Sequence, residues 1–241
     1  MKKVLLLMFC VITLTACKTE FGTWNLVPSD NIVTKEYKLS PFEEVAMHCV
    51  GNVELIQSDA KDGTVELTAP ENFIEYIKLE STDKRLNIST TLRKLKMDGV
   101  HIKFKVYTTD LIKLTNSGVS RIAMDTLDTD RLDIKNSGAG SIEINKIIAD
   151  DISATCSGVG SISMNGQTIN ADLTCSGVGS IEAGDLKAKN VKALVSGVGS
   201  INCYAKDRID GSVTGVGSLN YGGNPTQKNN HRPGVGSINE M

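Results

Sequence analysis

Aromatic residues are scarce in this sequence, which excludes one common kind of binding surface. They make up 5% of the 241 residues, and Trp24 is the single tryptophan. A carbohydrate-stacking platform built from several Trp or Tyr side chains is therefore poorly supported. Histidine is equally rare: His48, His101 and His231 are far apart, and none lies between residues 102 and 230. The middle of the chain cannot assemble a Ser-His-Asp or Cys-His arrangement, and we expect no three-His metal site.

A strong charge of either sign is also lacking. The formal net charge is −2, with 26 basic and 28 acidic side chains. Binding to nucleic acid requires clustered Lys and Arg, and no such cluster is present. We therefore expect no nucleic-acid partner.

The longest apolar run stands at the N-terminus and predicts an export signal. Lys2 and Lys3 precede an uncharged segment, Val4 to Thr13, that is too short to span a bilayer comfortably. The run ends in "LTAC", which resembles the lipobox of bacterial lipoproteins, where the cysteine is acylated and becomes the new N-terminus. On this resemblance residues 1–16 are a signal peptide, Cys17 carries the lipid, and residues 17–30 form a tether. Lys18 is not the aspartate that retains lipoproteins at the inner membrane, so the resemblance implies outer-membrane anchoring in a Gram-negative bacterium.

The hexapeptide "SGVGSI" dominates the second half of the chain. It occurs three times, with near copies on either side, and the first glycine of the motif recurs every 18 to 20 residues. The glycines of these motifs are Gly118, Gly138, Gly158, Gly160, Gly177, Gly179, Gly197, Gly199, Gly215, Gly217, Gly234 and Gly236.

Apolar residues alternate with period two on both sides of each glycine motif, as in Leu173 and Cys175 before it and Ile181 and Ala183 after it. This pattern predicts two short strands per repeat, each with one buried face. A repeat of about twenty residues is too short for a propeller blade. The predicted fold class is therefore all-β: a right-handed parallel β-helix, or single-stranded β-solenoid, of about 20 residues per coil.

The glycines are expected to build the corners of this solenoid. Every coil has the same corner, so a Cβ atom there would face another one coil away, and glycine removes that crowding and permits positive φ. The intervening Val or Ala is expected to stack as a buried ladder, so that an aspartate at Val178 or Val198 would unfold the rod. A phosphate-binding loop is not indicated, since a strand follows the motif and no Lys is placed for the phosphate.

The first half is less regular. We predict a single domain over residues 31–241, with an irregular N-terminal capping portion at 31–110 and regular coils at 111–241. "VAMHCVGNVEL" looks like a shortened coil, "TVELTAP" a strand, and "IKLESTDKRLNIST" a hairpin turning at Asp83 and Lys84. "YGGNPTQKNNHR" is interpreted as a polar loop before the last corner.

The sequence resembles a known family over most of its length. The lipobox, "FEEVAMHCVGNVEL", the stacked "SGVGSI" corners and the closing "SLNYGGNP" and "PGVGSI" are similar to the "putative autotransporter adhesin head GIN domain" family over residues 38–239. The resemblance implies a right-handed β-helix on envelope proteins of Gram-negative bacteria. It implies no catalytic residue and no cofactor.

The outward positions of the coils offer few groups for catalysis. Asp172 and Asp210 flank Lys192, whereas Glu143 and Glu182 stand two coils apart, about 9.6 Å at the spacing of paired strands. That separation is loose for a pair of glycosidase carboxylates. Asp125, Asp128, Asp130 and Asp133 could hold Ca²⁺ on a loop, but an ordinary polar loop is favoured.

Four cysteines remain after the N-terminal pair, Cys10 and Cys17. Cys156 and Cys175 share one inward column in adjacent coils, where either a disulfide or two stacked thiols would fit. Cys203 faces inward from another column, and Cys49 has no evident partner.

Two functions are compatible with these sequence features. The first is a non-catalytic envelope lipoprotein whose rod binds a glycan, a matrix or another envelope protein. The alternative is a polysaccharide-active enzyme, a lyase or glycoside hydrolase, on the same scaffold.

Overall fold

A computed structural model describes residues 27–92 and 101–241. The signal peptide, Cys17 and most of the tether lie outside the described residues. The described chain is a β-solenoid of about six turns with roughly 20 residues per turn, which confirms the predicted fold class.

The strands have the following bounds: β1 Ile32–Lys38, β2 Glu44–Met47, β3 Val50–Gln57, β4 Thr64–Pro70, β5 Ile77–Thr82, β6 Arg85–Thr90, β7 Lys103–Thr108, β8 Lys113–Asn116, β9 Val119–Asp128, β10 Arg131–Asn136, β11 Ala139–Cys156, β12 Val159–Cys175, β13 Val178–Val195, β14 Val198–Val213, β15 Val216–Gly222, β16 Gln227–His231 and β17 Ser237–Glu240. Two short 3₁₀ helices, Asp59–Lys61 and Glu71–Tyr76, interrupt them.

The regular coils stack in parallel with like residues above like. Ile142 pairs with Ile162, Ile162 with Ile181 and Ile181 with Ile201. All are buried, so they form one apolar column through the interior. The register inferred from the sequence repeat is therefore confirmed for the inward positions.

Each middle coil differs from the predicted pair of short strands. β11 to β14 are continuous bent strands of 16 to 18 residues that run from one glycine corner to the next. Their pairing contains register shifts, for example between Ile144 and Ile147 in the pairing of β11 with β12. Parallel pairing satisfies the backbone on both sides of these strands.

The N-terminal portion closes one end of the solenoid by folding back over it. β2 and β3 form a short coil that pairs in parallel with β8 and β9. On their other side lie β6 and β7, which come later in the chain. β4 pairs antiparallel with β7, β5 with β6, and β1 with β4. The hairpin turn falls at Asp83 and Lys84, as predicted, and both residues have positive φ.

Two sequence predictions were wrong. The segment interpreted as a polar loop contains β16, which pairs in parallel with β14 although all five of its residues are exposed. The corner valines do not form a buried ladder: Val178 and Val198 are each 57% exposed. Strand β13 begins at Val178, so its side chains already alternate from that residue, and with Ile181 facing inward Val178 must face solvent.

The buried columns contain polar and sulfur-bearing side chains near the corners. Asn116 donates from Nδ2 to Oδ1 of Asn136 at 3.0 Å, and Asn136 donates to the carbonyl of Gly140 at 3.1 Å. Cys156 and Cys175 continue this column as free thiols. Of the two arrangements that the sequence allowed, the structure has the stacked thiols.

Candidate functional site

The corner glycines lie where neighbouring coils approach each other. A methyl group on Gly158 would overlap the carbonyl oxygen of Gly138, and one on Gly160 would overlap that of Gly140. Positive φ is not the common reason for glycine here. Of the glycines predicted at corners only Gly160 has it, as does Gly140, which pairs with Gly160 in the preceding coil. The corners leave bare backbone at the surface and carry no catalytic group.

The other predicted site positions do not converge. Cys17 lies outside the described residues. Within residues 27–92 and 101–241, no group of three or more His, Cys, Asp or Glu side chains could hold a metal ion. Glu143 faces Arg121 at 3.3 Å, whereas Glu182 accepts a hydrogen bond from Asn202. These two carboxylates therefore do not form a pair.

The best candidate site is a groove on the outside of the sheet, which we call the outer groove. It has a volume of about 580 Å³ and runs across the coils from β8 to β14. Its floor is the strand backbone at a column of buried apolar residues that includes Ile152 and Val191, and two columns of outward side chains form its walls.

The first wall is a column of charged residues of both signs, interrupted by one serine. It consists of Lys113, Asp133, Ser153, Asp172, Lys192 and Asp210, in register from one coil to the next. Lys113 lies 4.0 Å from Asp133, and Lys192 lies 3.5 Å from Asp172. The expected placement of Lys192 between Asp172 and Asp210 is confirmed.

The second wall stands two residues earlier in each coil and is linked by amides. It consists of Arg131, Asp151, Asn170, Asn190 and Arg208. Asn190 donates to Asn170 at 3.0 Å, and Asn170 donates to Asp151 at 2.8 Å. Sequence reasoning missed this column because it compared the coils only as far back as five residues before each glycine. Extending the same register by two positions would have revealed it.

The two walls meet at the C-terminal end of the groove. Arg208 donates to both carboxylate oxygens of Asp210, at 2.8 Å from Nε and 3.1 Å from Nη2. The Arg208 guanidinium holds the pKa of the Asp210 carboxyl below its usual range. Asp210 therefore stays ionised at neutral pH and is a poor proton donor.

The walls of the groove are polar, its floor is apolar, and its charges nearly cancel. Five acidic and four basic side chains line it, and the four aspartates in its walls each face a cation or an amide. Such a surface presents hydrogen-bond donors and acceptors at a repeat of about 4.8 Å along the rod. It can hold an extended polar molecule along several coils.

No helix in the described residues is long and apolar enough to cross a membrane.

The chain is similar to several proteins of known structure. None of the curated proteins compared with it matches. Among solved structures, a putative adhesin from Bacteroides fragilis is 32% identical, with a TM-score of 0.86, and the match covers 89% of this chain and 99% of that one.

Two further crystal structures share the fold. A putative lipid binding protein from Parabacteroides distasonis is 25% identical with a TM-score of 0.66, and the match covers 89% of this chain and 98% of that one. A putative adhesin from Parabacteroides merdae is 20% identical with a TM-score of 0.69, over the same shares of the two chains. The family described as "Putative auto-transporter adhesin, head GIN domain" matches residues 41–225, and the chain belongs to this family.

Proposed function

We propose that the chain is a non-catalytic, lipid-anchored binding module of the bacterial cell envelope, and that the outer groove is its binding site for a glycan. The observation that carries this proposal is the pair of polar columns that continue in register over five or six coils. An extended sugar chain offers hydroxyl groups along its whole length, and each coil can meet them with an amide, a carboxylate or a cation.

The chemistry of the groove favours a glycan over a protein partner. The cores of protein interfaces are depleted of charge, whereas the walls of the outer groove consist of charged and amide side chains. These groups would hold a glycan through hydrogen bonds to its hydroxyl groups and not through aromatic stacking. The adhesin descriptions of the family and of the Bacteroides fragilis relative agree with a role in attachment.

The pairing of the carboxylates supports binding over catalysis. A glycosidase needs one carboxyl group that carries a proton and a second that acts as nucleophile or base. In the outer groove Asp210 is held ionised by Arg208, and Asp151 accepts from Asn170. Appearance of new reducing ends or unsaturated products on a bound glycan would overturn the non-catalytic part of the proposal.

Binding is tested with residues 27–241 on a glycan array, followed by calorimetry on any glycan retained. We expect Asn190→Ala to weaken binding about tenfold, since loss of one or two hydrogen bonds costs about 1.4 kcal/mol. Asn202→Ala is the matched control, because Asn202 stands in another outward amide ladder, bonded to Glu182 and Asn220, and does not line the groove. Equal binding by both variants, or no glycan bound at all, would count against the outer groove.

The anchor is tested separately in cells that express the full chain. We expect Cys17→Ser to move the protein from the outer-membrane fraction to the soluble envelope fraction, because two or three acyl chains are needed for stable anchoring. Cys10→Ser is the control, as it also removes a thiol from the N-terminal segment but leaves "LTAC" intact. Retention of the Cys17→Ser variant in the membrane would refute lipid anchoring without affecting the groove.

A further inference from the structure

A ridge of exposed valines runs along the outside of the glycine corners. Val119, Val159, Val178, Val198 and Val216 are 56–62% exposed, and Val235 is 86% exposed. They lie in register from coil to coil, with Ala139 between the first two. Val235 continues the ridge, since its N–H donates to Gly215 as that of Val216 donates to Gly197. We call these seven residues the valine ridge.

The valine ridge is flanked on both sides by columns without side chains. Glycine stands before and after each valine in the coils of Val159, Val178, Val198, Val216 and Val235. Bare backbone therefore forms a shallow furrow on either side, and beyond each furrow stands a column made mostly of serine. The strip is uncharged apart from its two ends, where Arg121 stands at the N-terminal end and Arg232 donates to the carbonyl of Gly236 at the C-terminal end. A contiguous apolar strip of this kind marks an interaction surface.

The geometry points to a second copy of this chain as the partner, and we propose that the valine ridge is a homodimer interface. Ridge and furrow have the same repeat and the same length, so the ridge of one copy fits the furrow of the other. A two-fold axis parallel to the rod brings each ridge opposite the partner's furrow, as an isologous interface requires. A two-fold axis across the rod would instead set ridge against ridge. The complementary arrangement is therefore parallel, with equal coils side by side.

The size of the strip is enough for a weak specific dimer. Seven coils at about 4.8 Å and five residues at about 3.3 Å give a face of roughly 29 by 16 Å. Two such faces bury on the order of 1,000 Å², which is the lower limit for a specific interface. We therefore expect a dissociation constant in the micromolar range. The strip has no aromatic side chain, and its two cations, Arg121 and Arg232, stand at opposite ends. Anchoring at a lipid surface uses aromatic residues and clustered basic residues, so a second copy is favoured over a membrane.

Sedimentation equilibrium on residues 27–241 tests the proposal. This segment suffices because the Bacteroides fragilis relative, which matches 89% of this chain, folded and crystallised at that extent. We expect concentration-dependent dimerisation that Val178→Lys weakens at least about 100-fold, since an unpaired ammonium would enter an apolar contact. Ile169→Lys is the matched control, because Ile169 is also an exposed apolar residue but lies outside the valine ridge. A monomer at all concentrations up to about 1 mM, or equal weakening by both variants, would overturn the proposal.

The parallel arrangement has a test of its own. Val216 lies one coil from the C-terminal end of the ridge. In a parallel dimer it lies at the same level as Val216 of the second copy and next to it, displaced sideways by the distance from ridge to furrow. Under mild oxidation we expect Val216→Cys to give a covalent dimer and Ile169→Cys to give none. The four cysteines of the described residues are buried and contribute no background. Absence of the Val216→Cys dimer at concentrations where the wild type associates would refute the parallel geometry.

Discussion

Alanine in place of Gly158 is the sharpest test of the corner. The added Cβ would overlap the carbonyl oxygen of Gly138 and lie 2.6 Å from the carbonyl carbon of Ser137. Both atoms belong to the backbone of the preceding coil, so no rotation of a side chain can relieve the contact. The two coils must separate locally by about 1.4 Å to reach ordinary van der Waals distance.

That separation weakens the hydrogen bonds that join the coils at this corner. Gly158 donates to Asn136 at 3.1 Å, and Val159 donates to Gly138 at 3.0 Å. Loss of two bonds at about 1 kcal/mol each, together with about 1–3 kcal/mol for overpacking, gives about 3–5 kcal/mol of destabilisation. In a domain of this size the midpoint of thermal unfolding should fall by about 6–20 °C.

Thermal unfolding of residues 27–241, followed by circular dichroism, measures the effect. Gly184→Ala provides a matched control, because a Cβ at Gly184 would meet no atom within 4 Å. We expect this variant to melt within about 4 °C of the wild type, since alanine at an unstrained position changes stability by less than about 1 kcal/mol. Should Gly158→Ala melt together with Gly184→Ala, close approach of the coils would not be the reason for glycine at the corners.

Three further outcomes can be measured by unfolding. Val178→Asp should change the free energy of unfolding by less than about 0.5 kcal/mol, as expected for a solvent-exposed substitution, and a fall above about 2 kcal/mol would contradict the outward placement. Asn136→Ala should cost about 2–4 kcal/mol in urea unfolding, because Asn116 and the carbonyl of Gly140 each lose a buried partner. Burial raises the pKa of Cys203 to about 12, whereas the unfolded thiol ionises near pH 8.5. Its contribution to stability is therefore complete below about pH 8.5 and is lost as the pH rises towards 12, and Cys203→Ala should show a shallower loss over that range than the wild type.

The solenoid could be predicted from the sequence because each repeat corresponds to one coil. Ile142, Ile162 and Ile181 recur at the same distance from the glycines, and residues equivalent in the repeat are neighbours in space. Alternation with period two then fixes which of them face inward. The same rule, applied through the corner, places Val178 outside, so the error about the corner valines came from treating the corner as a break in the alternation.

Other features could not be read from local patterns. β16 has no buried face, so it shows no alternation, and its pairing with β14 is visible only in three dimensions. In the sheet, β2 lies between β6 and β8, and β3 lies between β7 and β9. Local periodicity predicts strands but does not say which strands pair over long separations. The second wall of the outer groove could have been predicted by extending the register of the repeat by two positions. Its residue types are mixed, so composition alone does not reveal it.

The glycines and the valine of the corner motif have different explanations. Glycine on both sides of the turn is required by the close approach of neighbouring coils, where a methyl group would overlap backbone. Nothing in the fold requires the residue between them to be apolar, because its side chain faces solvent in the coils of Val159, Val178 and Val198. A β-branched residue suits an extended strand, but threonine would serve that purpose and remain hydrated. Six valines and one alanine in register therefore point to contact with another surface, and the furrows beside the ridge make that surface complementary to itself.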